Sequence, residues 1–300
     1  MTNSPPQQPR PPRQTPPVQT AGPEADRGPV PPAGAPAGAL AGALAGSPRA
    51  RSFDAAAAQY AAARPTYPPA LFDAVEEITG RTLRGARVVD VGAGTGISSG
   101  LLAGRGARVT AVEPGAGMAR EFRRALPEIP LVRGVGDALP LAGGWADLIT
   151  YAQSWHWTDP ARSLPEAARV LRPGGSLALW WNAADYSVPW LAAQGARFRQ
   201  WIPEWTNGSP GAARELPAEF PAVHRILRWT RSVPLTTHLD NIGSHSLLLT
   251  LGRDRAAELL DRERAELLKV FPGGTVPEAY TVELTVTTTE AARRHRIRNP

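Results

Sequence analysis

The sequence predicts an α/β domain whose β-sheet is parallel and covered by helices on both faces. Two observations predict it. From residue 53 onward, short apolar segments of strand length alternate with segments whose apolar residues recur at helical spacing. In addition, the first of these strands, Arg87–Val91, ends in a glycine-rich turn that leads into a helix. Alternating strands and helices are typical of parallel sheets, because parallel neighbours must be joined by a crossover.

Two helices are expected before the first strand. Phe53–Ala63 is rich in alanine, and Pro65 ends it because the residue before a proline disfavours the helical conformation. Pro69–Thr79 places its large apolar residues on one helical face, and Gly80 is a typical residue at a helix end.

The central part of the chain contains five predicted strands with helices between them. The strands are Arg87–Val91, Arg108–Val112, Pro130–Val135, Ala146–Tyr151 and Ser176–Trp181. The helices are Ser98–Gly104, Ala116–Ala125 and Leu164–Leu171. A turn is expected over Leu171–Gly175, where a proline is followed by two glycines.

The pattern is less regular towards the C-terminus. Tyr186–Glu204 is predicted to be a helical insertion rich in aromatic residues, and Val223–Val233 a strand. Ala256–Val270 has the pattern of a charged amphipathic helix. Tyr280–Thr288 alternates apolar and polar residues, which predicts a last strand.

Residues 1–50 differ from the rest in composition. They contain 13 of the 32 prolines and no isoleucine, phenylalanine, tyrosine or tryptophan. Such a segment cannot bury enough apolar surface to offset the entropy lost on ordering, so we predict a disordered tail. The rest of the chain is long enough for one well-buried domain, which we place at residues 51–292, followed by a basic tail at 293–300.

The net charge of +6 does not indicate a nucleic-acid-binding protein. Residues 1–50 carry +2 and residues 293–300 carry +4, so the predicted domain is neutral, with 25 basic and 25 acidic residues. A nucleic-acid-binding surface requires clustered positive charge, and we therefore expect no nucleic-acid partner. No signal peptide and no long apolar segment is apparent, which predicts a cytoplasmic protein without membrane contact.

The absence of cysteine excludes disulfides, thiolate metal sites and a cysteine nucleophile. The histidines form no pattern of metal ligands with carboxylates, so no catalytic metal is expected. The sequence does not indicate the oligomeric state.

The most informative motif is the turn that contains Gly92, Gly94 and Gly96, directly after a β-branched strand. Glycine permits positive φ angles and a close approach of the backbone to a ligand. Exposed amides at a helix N-terminus favour an anionic group. The turn therefore predicts a binding site for a nucleotide or a carboxylate.

The same turn fails the dinucleotide-binding fingerprint, G-x-G-x-x-G. Counted from Gly92, the third glycine position holds Ile97, and counted from Gly94 it holds Ser99. This mismatch disfavours an NAD(P)-dependent oxidoreductase on a similar fold, which stays an alternative.

Four motifs occur in a fixed order along residues 53–292. The first is Phe53-Asp54 with Tyr60 and Arg64-Pro65-Thr66-Tyr67-Pro68, and the second is G-x-G-x-G with Glu113 at the end of the next strand. The third is Gln153-Ser154-Trp155-His156-Trp157-Thr158-Asp159. The fourth is Leu171-Arg172-Pro173-Gly174-Gly175. Together they resemble the class I S-adenosylmethionine-dependent methyltransferases, in particular the small-molecule group known as methyltransferase type 11. Ser154 and Thr158 depart from the alanine and phenylalanine of that group.

The resemblance implies a Rossmann-like, doubly wound sheet of seven strands, mostly parallel, with an antiparallel last strand and helical insertions. It implies methyl transfer from S-adenosylmethionine to an oxygen, nitrogen or carbon nucleophile of a small-molecule acceptor. The aromatic insertion lies where the group binds its acceptor, although such residues more often form core. A methyltransferase-like protein that binds the cofactor without turnover is the second alternative.

The resemblance also implies a set of cofactor-binding residues. The set is Tyr60, Arg64, Asp90, Gly92, Gly94, Gly96, Glu113, Pro114, Met118, Asp137, Ala138 and Gln153. Tyr60 and Arg64 would cover the cofactor, and the glycine amides would face its methionine part, with Asp90 supporting the turn. Arg64 could equally cap a helix end.

The remaining members of the set would bind the nucleoside. Glu113 would accept hydrogen bonds from both ribose hydroxyls. Pro114 and Met118 would pack on the adenine, although Met118 could equally belong to the core. Asp137 would accept from the adenine amino group while the Ala138 amide meets a ring nitrogen; a turn-forming role is the alternative for Asp137.

His156 is the candidate catalytic residue. It follows the fourth strand, at the sheet edge where ligands bind in open α/β sheets. Imidazole titrates near neutral pH and could act as a general base. The alternative is that His156 and Trp157 only shape and pack the pocket.

Overall fold

The structure is a computed structural model that describes residues 64–205, 216 and 220–288. Its sheet contains β1 (Arg87–Val91), β2 (Arg108–Val112), β3 (Leu131–Val132), β4 (Ala146–Ala152), β5 (Leu171–Ala184), β6 (Val223–Pro234) and β7 (Thr275–Thr288). The order across the sheet is β3-β2-β1-β4-β5-β7-β6. β1 to β5 pair in parallel, whereas β7 is antiparallel to both β5 and β6. The predicted seven-stranded, mostly parallel sheet with an antiparallel last strand is confirmed.

Helices cover the sheet on both faces. They are α1 (Pro69–Thr79), α2 (Ile97–Gly104), α3 (Ala116–Ala125), α4 (Pro160–Val170), α5 (Pro189–Trp201), α6 (Leu235–Gly243), α7 (Ser246–Thr250) and α8 (Arg253–Val270). A one-turn 3₁₀ helix, Trp155–Trp157, follows β4. The bounds of β1, β2, α1 and α3 agree with those predicted from the sequence, and the doubly wound architecture is confirmed.

The elements differ from prediction mainly at the sheet edge and around α4. Only Leu131 and Val132 of the predicted third strand pair with β2, because the chain leaves the edge of the sheet directly afterwards. α4 begins at Pro160 rather than Leu164, since the Asp159 side chain caps it by accepting from the Ala161 amide at 3.0 Å.

Further differences lie after α4, where β7 begins at Thr275 rather than Tyr280 and α8 at Arg253 rather than Ala256. The predicted turn Leu171–Gly175 is a bulged part of β5: Leu171 pairs with Ala146, Ser176 pairs with Leu148, and the register shifts between them. α6 and α7 are absent from the sequence prediction. The predicted helix Phe53–Ala63, Tyr60 and both predicted tails lie outside the described residues.

The core contains one layer on each face of the sheet and a further cluster among α5, α6 and α8. Val89 of β1 packs with Trp155 and residues of α4, whereas the preceding residue, Val88, packs with α1 and α2. Trp180 of β5 is fully buried in the second layer and meets the rings of Tyr67 and Phe72 edge-on, each at 6.1 Å between centroids. Trp180 thereby fixes the chain segment that leads into α1 against the sheet.

A buried polar network joins α5, α6 and α8 to β7. Its central carboxylate, Glu263 of α8, is fully buried and accepts from Arg197 at 2.6 and 2.7 Å and from Gln194 at 3.0 Å. Gln194 also meets the His238 ring, which contacts Glu278 of β7 at 2.7 Å. Each carboxylate therefore has a nearby donor, as buried charges require.

We predict that Arg197→Met lowers the free energy of unfolding by about 3 kcal/mol, because it leaves the Glu263 carboxylate buried without its cation. Urea unfolding followed by circular dichroism measures the change.

The matched control is Arg262→Met, which removes a guanidinium from an exposed ion pair with Glu258. Exposed pairs contribute little to stability, so its urea midpoint should match that of the wild type. Equal destabilisation by both substitutions would contradict the proposed role of the network.

Candidate active site

A cavity of about 190 Å³ lies at the carboxyl ends of β1, β2 and β4. Its walls come from the glycine turn, the residues after β2, the loop after β3, the end of β4 and the segment before α1. Arg64 and Glu113 are the charged side chains among the described residues that line it. The location agrees with the general position of ligand sites in open α/β sheets.

The three glycines serve the cavity in different ways. All have positive φ angles, +66° at Gly92, +59° at Gly94 and +96° at Gly96. A Cβ on Gly92 would lie 2.5 Å from the Cβ of Ser154, and one on Gly96 would lie 2.6 Å from a methyl of Leu126. A Cβ on Gly94 would meet nothing within 4 Å. Gly92 and Gly94 line the cavity, whereas Gly96 is packed against the protein.

The amides of the three glycines have hydrogen-bond partners within the protein. Gly92 donates to the Val112 carbonyl at 2.8 Å, Gly94 to the Glu113 carboxylate at 2.8 Å, and Gly96 to the Ala93 carbonyl at 3.0 Å. The tight turn satisfies these amides internally, because positive φ angles direct them back towards β2 and the turn itself. Of the three glycines, Gly94 is the one whose missing side chain leaves open space, whereas Gly92 and Gly96 make room for Ser154 and Leu126.

Asp90 lies beneath the turn and not in the cavity wall. It is fully buried and accepts from the Ser99 hydroxyl at 2.6 Å and the Thr150 hydroxyl at 2.8 Å. Burial raises the pKa of Asp90 to about 6, against the opposing effect of these hydrogen bonds. Its role is to fix the first turn of α2 against β1 and β4.

Glu113 forms part of the cavity wall directly after β2. Its side chain accepts from the Gly94 amide at 2.8 Å and from the Gly115 amide at 2.6 Å. These two contacts hold the carboxylate in place between the glycine turn and α3. Pro114 and Met118 line the cavity beside it.

The segment before α1 and the end of β4 meet in the cavity wall, where Arg64, Tyr67 and Gln153 lie. Arg64 donates to the Ser244 carbonyl at 3.2 Å, next to the end of α6. The Gln153 amide group lies 3.4 Å from the Tyr67 hydroxyl. Gln153 has φ +55°, the one positive φ outside glycine in the described part of the chain. Such backbone strain is concentrated at functional sites.

Asp137 and Ala138 lie next to the cavity but are engaged within the protein. Asp137 accepts from the Ser163 hydroxyl at 2.7 Å and from the Asp159 amide at 3.0 Å. The Ala138 amide donates to the Val135 carbonyl at 3.2 Å. These contacts fasten the loop after β3 to the N-terminus of α4.

His156 lies in the 3₁₀ helix between two tryptophans. Trp155 is fully buried, whereas Trp157 lines the cavity with 36% of its surface exposed. The His156 ring packs against Trp157 at 4.9 Å between centroids, and it does not line the cavity itself. The short helix thus turns Trp157 towards the cavity and leaves His156 behind it.

Thr95 and Tyr151 also line the cavity, and the sequence motifs did not indicate either residue. The Thr95 and Tyr151 hydroxyls are buried and have no hydrogen-bond partner among the described residues. Thr95 stands between two of the motif glycines. Tyr151 is a polar aromatic residue two positions before Gln153, which is the one signal for it in the sequence.

No helix in the described part of the chain is both long and apolar enough to cross a membrane. In the same residues, histidine, aspartate and glutamate side chains do not gather in threes as metal ligands would.

The chain is similar to known proteins over most of its length. Residues 89–179 match a family described as a methyltransferase domain. An uncharacterized methyltransferase of Mycobacterium bovis is 37% identical over 223 residues, which span 74% of this chain and 87% of that protein. A demethylmenaquinone methyltransferase of Beutenbergia cavernae is 39% identical over 106 residues, 35% of this chain and 42% of that protein.

Among solved structures, one from Anaeromyxobacter dehalogenans, assigned as a type II methyltransferase, superposes with a TM-score of 0.59. It is 26% identical and covers 75% of this chain and 97% of its own. The similarity therefore extends well beyond the glycine turn.

The raised pKa of Asp90 predicts a specific pH dependence of stability. Because the folded-state pKa of about 6 exceeds the ordinary value of 3.8, the group favours the folded state at low pH and this contribution is lost as pH rises through 6. Asp90→Asn cannot titrate and keeps the size of the side chain. Relative to this variant, the wild type should gain about 1 kcal/mol of stability between pH 7 and pH 5.

Urea unfolding of both proteins at several pH values measures this difference, in which the titration of all other groups cancels. Parallel stability curves for the two proteins would show that Asp90 has an ordinary pKa.

Proposed function

The chain belongs to the class I S-adenosylmethionine-dependent methyltransferases, and we propose that its cavity binds the methyl donor beside Glu113. The observation that carries this proposal is the carboxylate of Glu113, fixed by two backbone amides in the wall of the cavity at the end of β2. A fixed carboxylate in this position suits the two adjacent hydroxyls of a ribose.

The other walls fit the remaining parts of the cofactor. Arg64 supplies a cation in the wall for the methionine carboxylate. Pro114, Met118 and the loop after β3 supply an apolar surface for the adenine. The space at the Cβ position of Gly94 is open, as a ligand that approaches the backbone requires. In this proposal Asp90, Asp137 and Ala138 support the cofactor site from outside the wall.

The bound cofactor supplies an electrophilic methyl group on a sulfonium. The protein residues contribute alignment of the acceptor and exclusion of water. Tyr67, Gln153 and Trp157 form the uncharged part of the wall, and we assign the acceptor to this part. The strained Gln153 backbone holds its amide group beside Tyr67, where it can orient a polar group of the acceptor.

The acceptor is proposed to be a small molecule with an oxygen, nitrogen or carbon nucleophile. The demethylmenaquinone methyltransferase named above aligns with about a third of this chain, so its substrate indicates a class of chemistry and not this acceptor.

Of the two roles considered for His156, the geometry favours packing. The ring supports Trp157 from behind instead of facing the cavity. A base in direct contact with the acceptor would have to lie within hydrogen-bond reach of it.

Binding of the cofactor is tested by isothermal titration with S-adenosylmethionine and S-adenosylhomocysteine. The wild type should bind both, and Glu113→Gln should weaken binding at least tenfold, because the neutral amide keeps only one acceptor oxygen and the hydrogen bonds to the ribose lose their charge assistance. Glu128→Gln, which removes an exposed carboxylate at the surface, is the matched control and should bind as the wild type does.

Since Glu113 also holds two backbone amides, its variant is first checked by circular dichroism, and Arg64→Ala serves as a second test of the wall. A wild-type protein that binds neither compound would refute the proposed function.

The role of His156 is tested with a labelled methyl donor and an acceptor found by screening. His156→Phe keeps a flat ring against Trp157 but cannot titrate, so we expect most of the activity to remain and the pH profile to keep its shape. A hundredfold loss of kcat, together with loss of a limb near pH 6.5, would instead identify His156 as the base.

A further inference from the structure

The helices α5 to α8, here called the C-terminal helices, pack around a hydrophobic cluster of their own. Phe198 of α5, Leu239 of α6 and Leu259 of α8 are buried in this cluster. As far as the chain is described, the lining of the cavity includes no residue of these helices. Any influence of the C-terminal helices on the cavity therefore passes through a contact with a residue of its wall.

Arg64 makes such a contact. It lines the cavity, and its Nη2 donates to the carbonyl of Ser244 at 3.2 Å, although the two residues are 180 positions apart in sequence. Ser244 directly follows α6, so its carbonyl lies at the negative end of the helix dipole. That end of a helix favours a cation, and the guanidinium of Arg64 supplies one.

The junction of α6 and α7 holds the Ser244 carbonyl in a fixed position. Ser244 is fully buried, and its hydroxyl donates to the Asn241 carbonyl at 2.6 Å. The next residue, His245, stacks its ring on Trp205 at 5.6 Å between centroids. Burial and the charge of Arg64 lower the pKa of His245 to about 3, so the ring is neutral near pH 7 and does not repel the guanidinium.

A guanidinium is a rigid plane with several N–H donors. One contact with a fixed carbonyl therefore restricts the orientation of the whole group, and a restricted group loses less conformational freedom when it binds a carboxylate. Given the proposed function, on which this step rests, that carboxylate belongs to the methionine part of the cofactor. We propose that the α6–α7 junction is a positioning element of the cofactor site, in which Ser244 orients Arg64 for the methionine carboxylate.

The coupling acts in both directions. If the contact between Arg64 and Ser244 strengthens carboxylate binding, the bound carboxylate must strengthen that contact by the same factor. The cofactor therefore stabilises the end of α6, even though this helix does not line the cavity.

Ser244→Gly tests the positioning role. It removes the hydroxyl that fixes the end of α6 and adds backbone freedom there. Measured by isothermal titration, the affinity for S-adenosylhomocysteine should fall about twofold to fivefold. 5′-Methylthioadenosine has the same nucleoside and sulfur but no carboxylate, so it should bind the variant and the wild type equally. An unchanged affinity of the variant for S-adenosylhomocysteine would overturn the proposal.

Thr250→Gly is the matched control within the C-terminal helices. The Thr250 hydroxyl donates to the Leu247 carbonyl at 2.8 Å, three residues back as in Ser244, but at the end of α7. Thr250 is exposed, and neither it nor Leu247 lines the cavity. This variant should bind S-adenosylhomocysteine as the wild type does. Equal loss of affinity in both variants would attribute the effect to general loosening of the C-terminal helices and refute the role of Ser244.

Hydrogen exchange measures the coupling in the reverse direction. At saturation, S-adenosylhomocysteine should slow the exchange of the Ser244 and His245 amides about twofold to fivefold more than 5′-methylthioadenosine does. Arg64→Ala should abolish this difference. Equal slowing by the two compounds in the wild type would overturn the proposal.

The two compounds also separate this proposal from the one on which it rests. A wild type that binds neither compound would refute the proposed function. A wild type that binds both with equal affinity would leave the nucleoside site beside Glu113 in place and refute the positioning of Arg64 alone.

Discussion

The site depends on one buried carboxylate, Asp90, which joins three elements at the carboxyl end of the sheet. It belongs to β1 and accepts from Ser99 of α2 and Thr150 of β4. A carboxylate is buried at acceptable cost only where donors surround it, so α2 and β4 have one favourable arrangement around it. The glycine turn lies between β1 and α2, and its shape follows from this arrangement. Glu113 then attaches to the turn through the Gly94 amide.

The sequence predicted most of the fold, because the strands at the centre of the sheet are buried and their apolar pattern is unambiguous. β1 and β2 have the predicted bounds for this reason. The prediction failed where neighbours outside the local sequence decide the structure. β3 ends after Val132 because it lies at the sheet edge. The predicted turn at Leu171–Gly175 is a bulge because Leu171 before it and Ser176 after it both pair with β4. α7 spans only Ser246–Thr250, too few residues for a helical period to be recognised.

A residue of the candidate site can be predicted from the sequence where its position in a motif suits a single physical role. The family motif led us to expect Glu113 at the end of the second strand and Gly92 in the turn, and both residues line the cavity. Hydrogen-bond partners were not predictable, because they depend on which loops meet in space. Asp137 turns to Ser163 of α4, which is distant in sequence.

The position of β7 has a consequence for how the chain folds during synthesis. β7 follows β6 in the chain but lies between β5 and β6, and β6 pairs with β7 on its inner side at the edge of the sheet. The 12 residues of β6 therefore leave the ribosome first, and they cannot pair with the sheet until Thr275–Thr288 has also emerged. The parallel strands can assemble early, whereas the antiparallel edge forms in a late step that brings together distant parts of the chain. Such non-local pairing is slow. Until it is complete, the apolar side chains of β6 stay exposed and can promote aggregation.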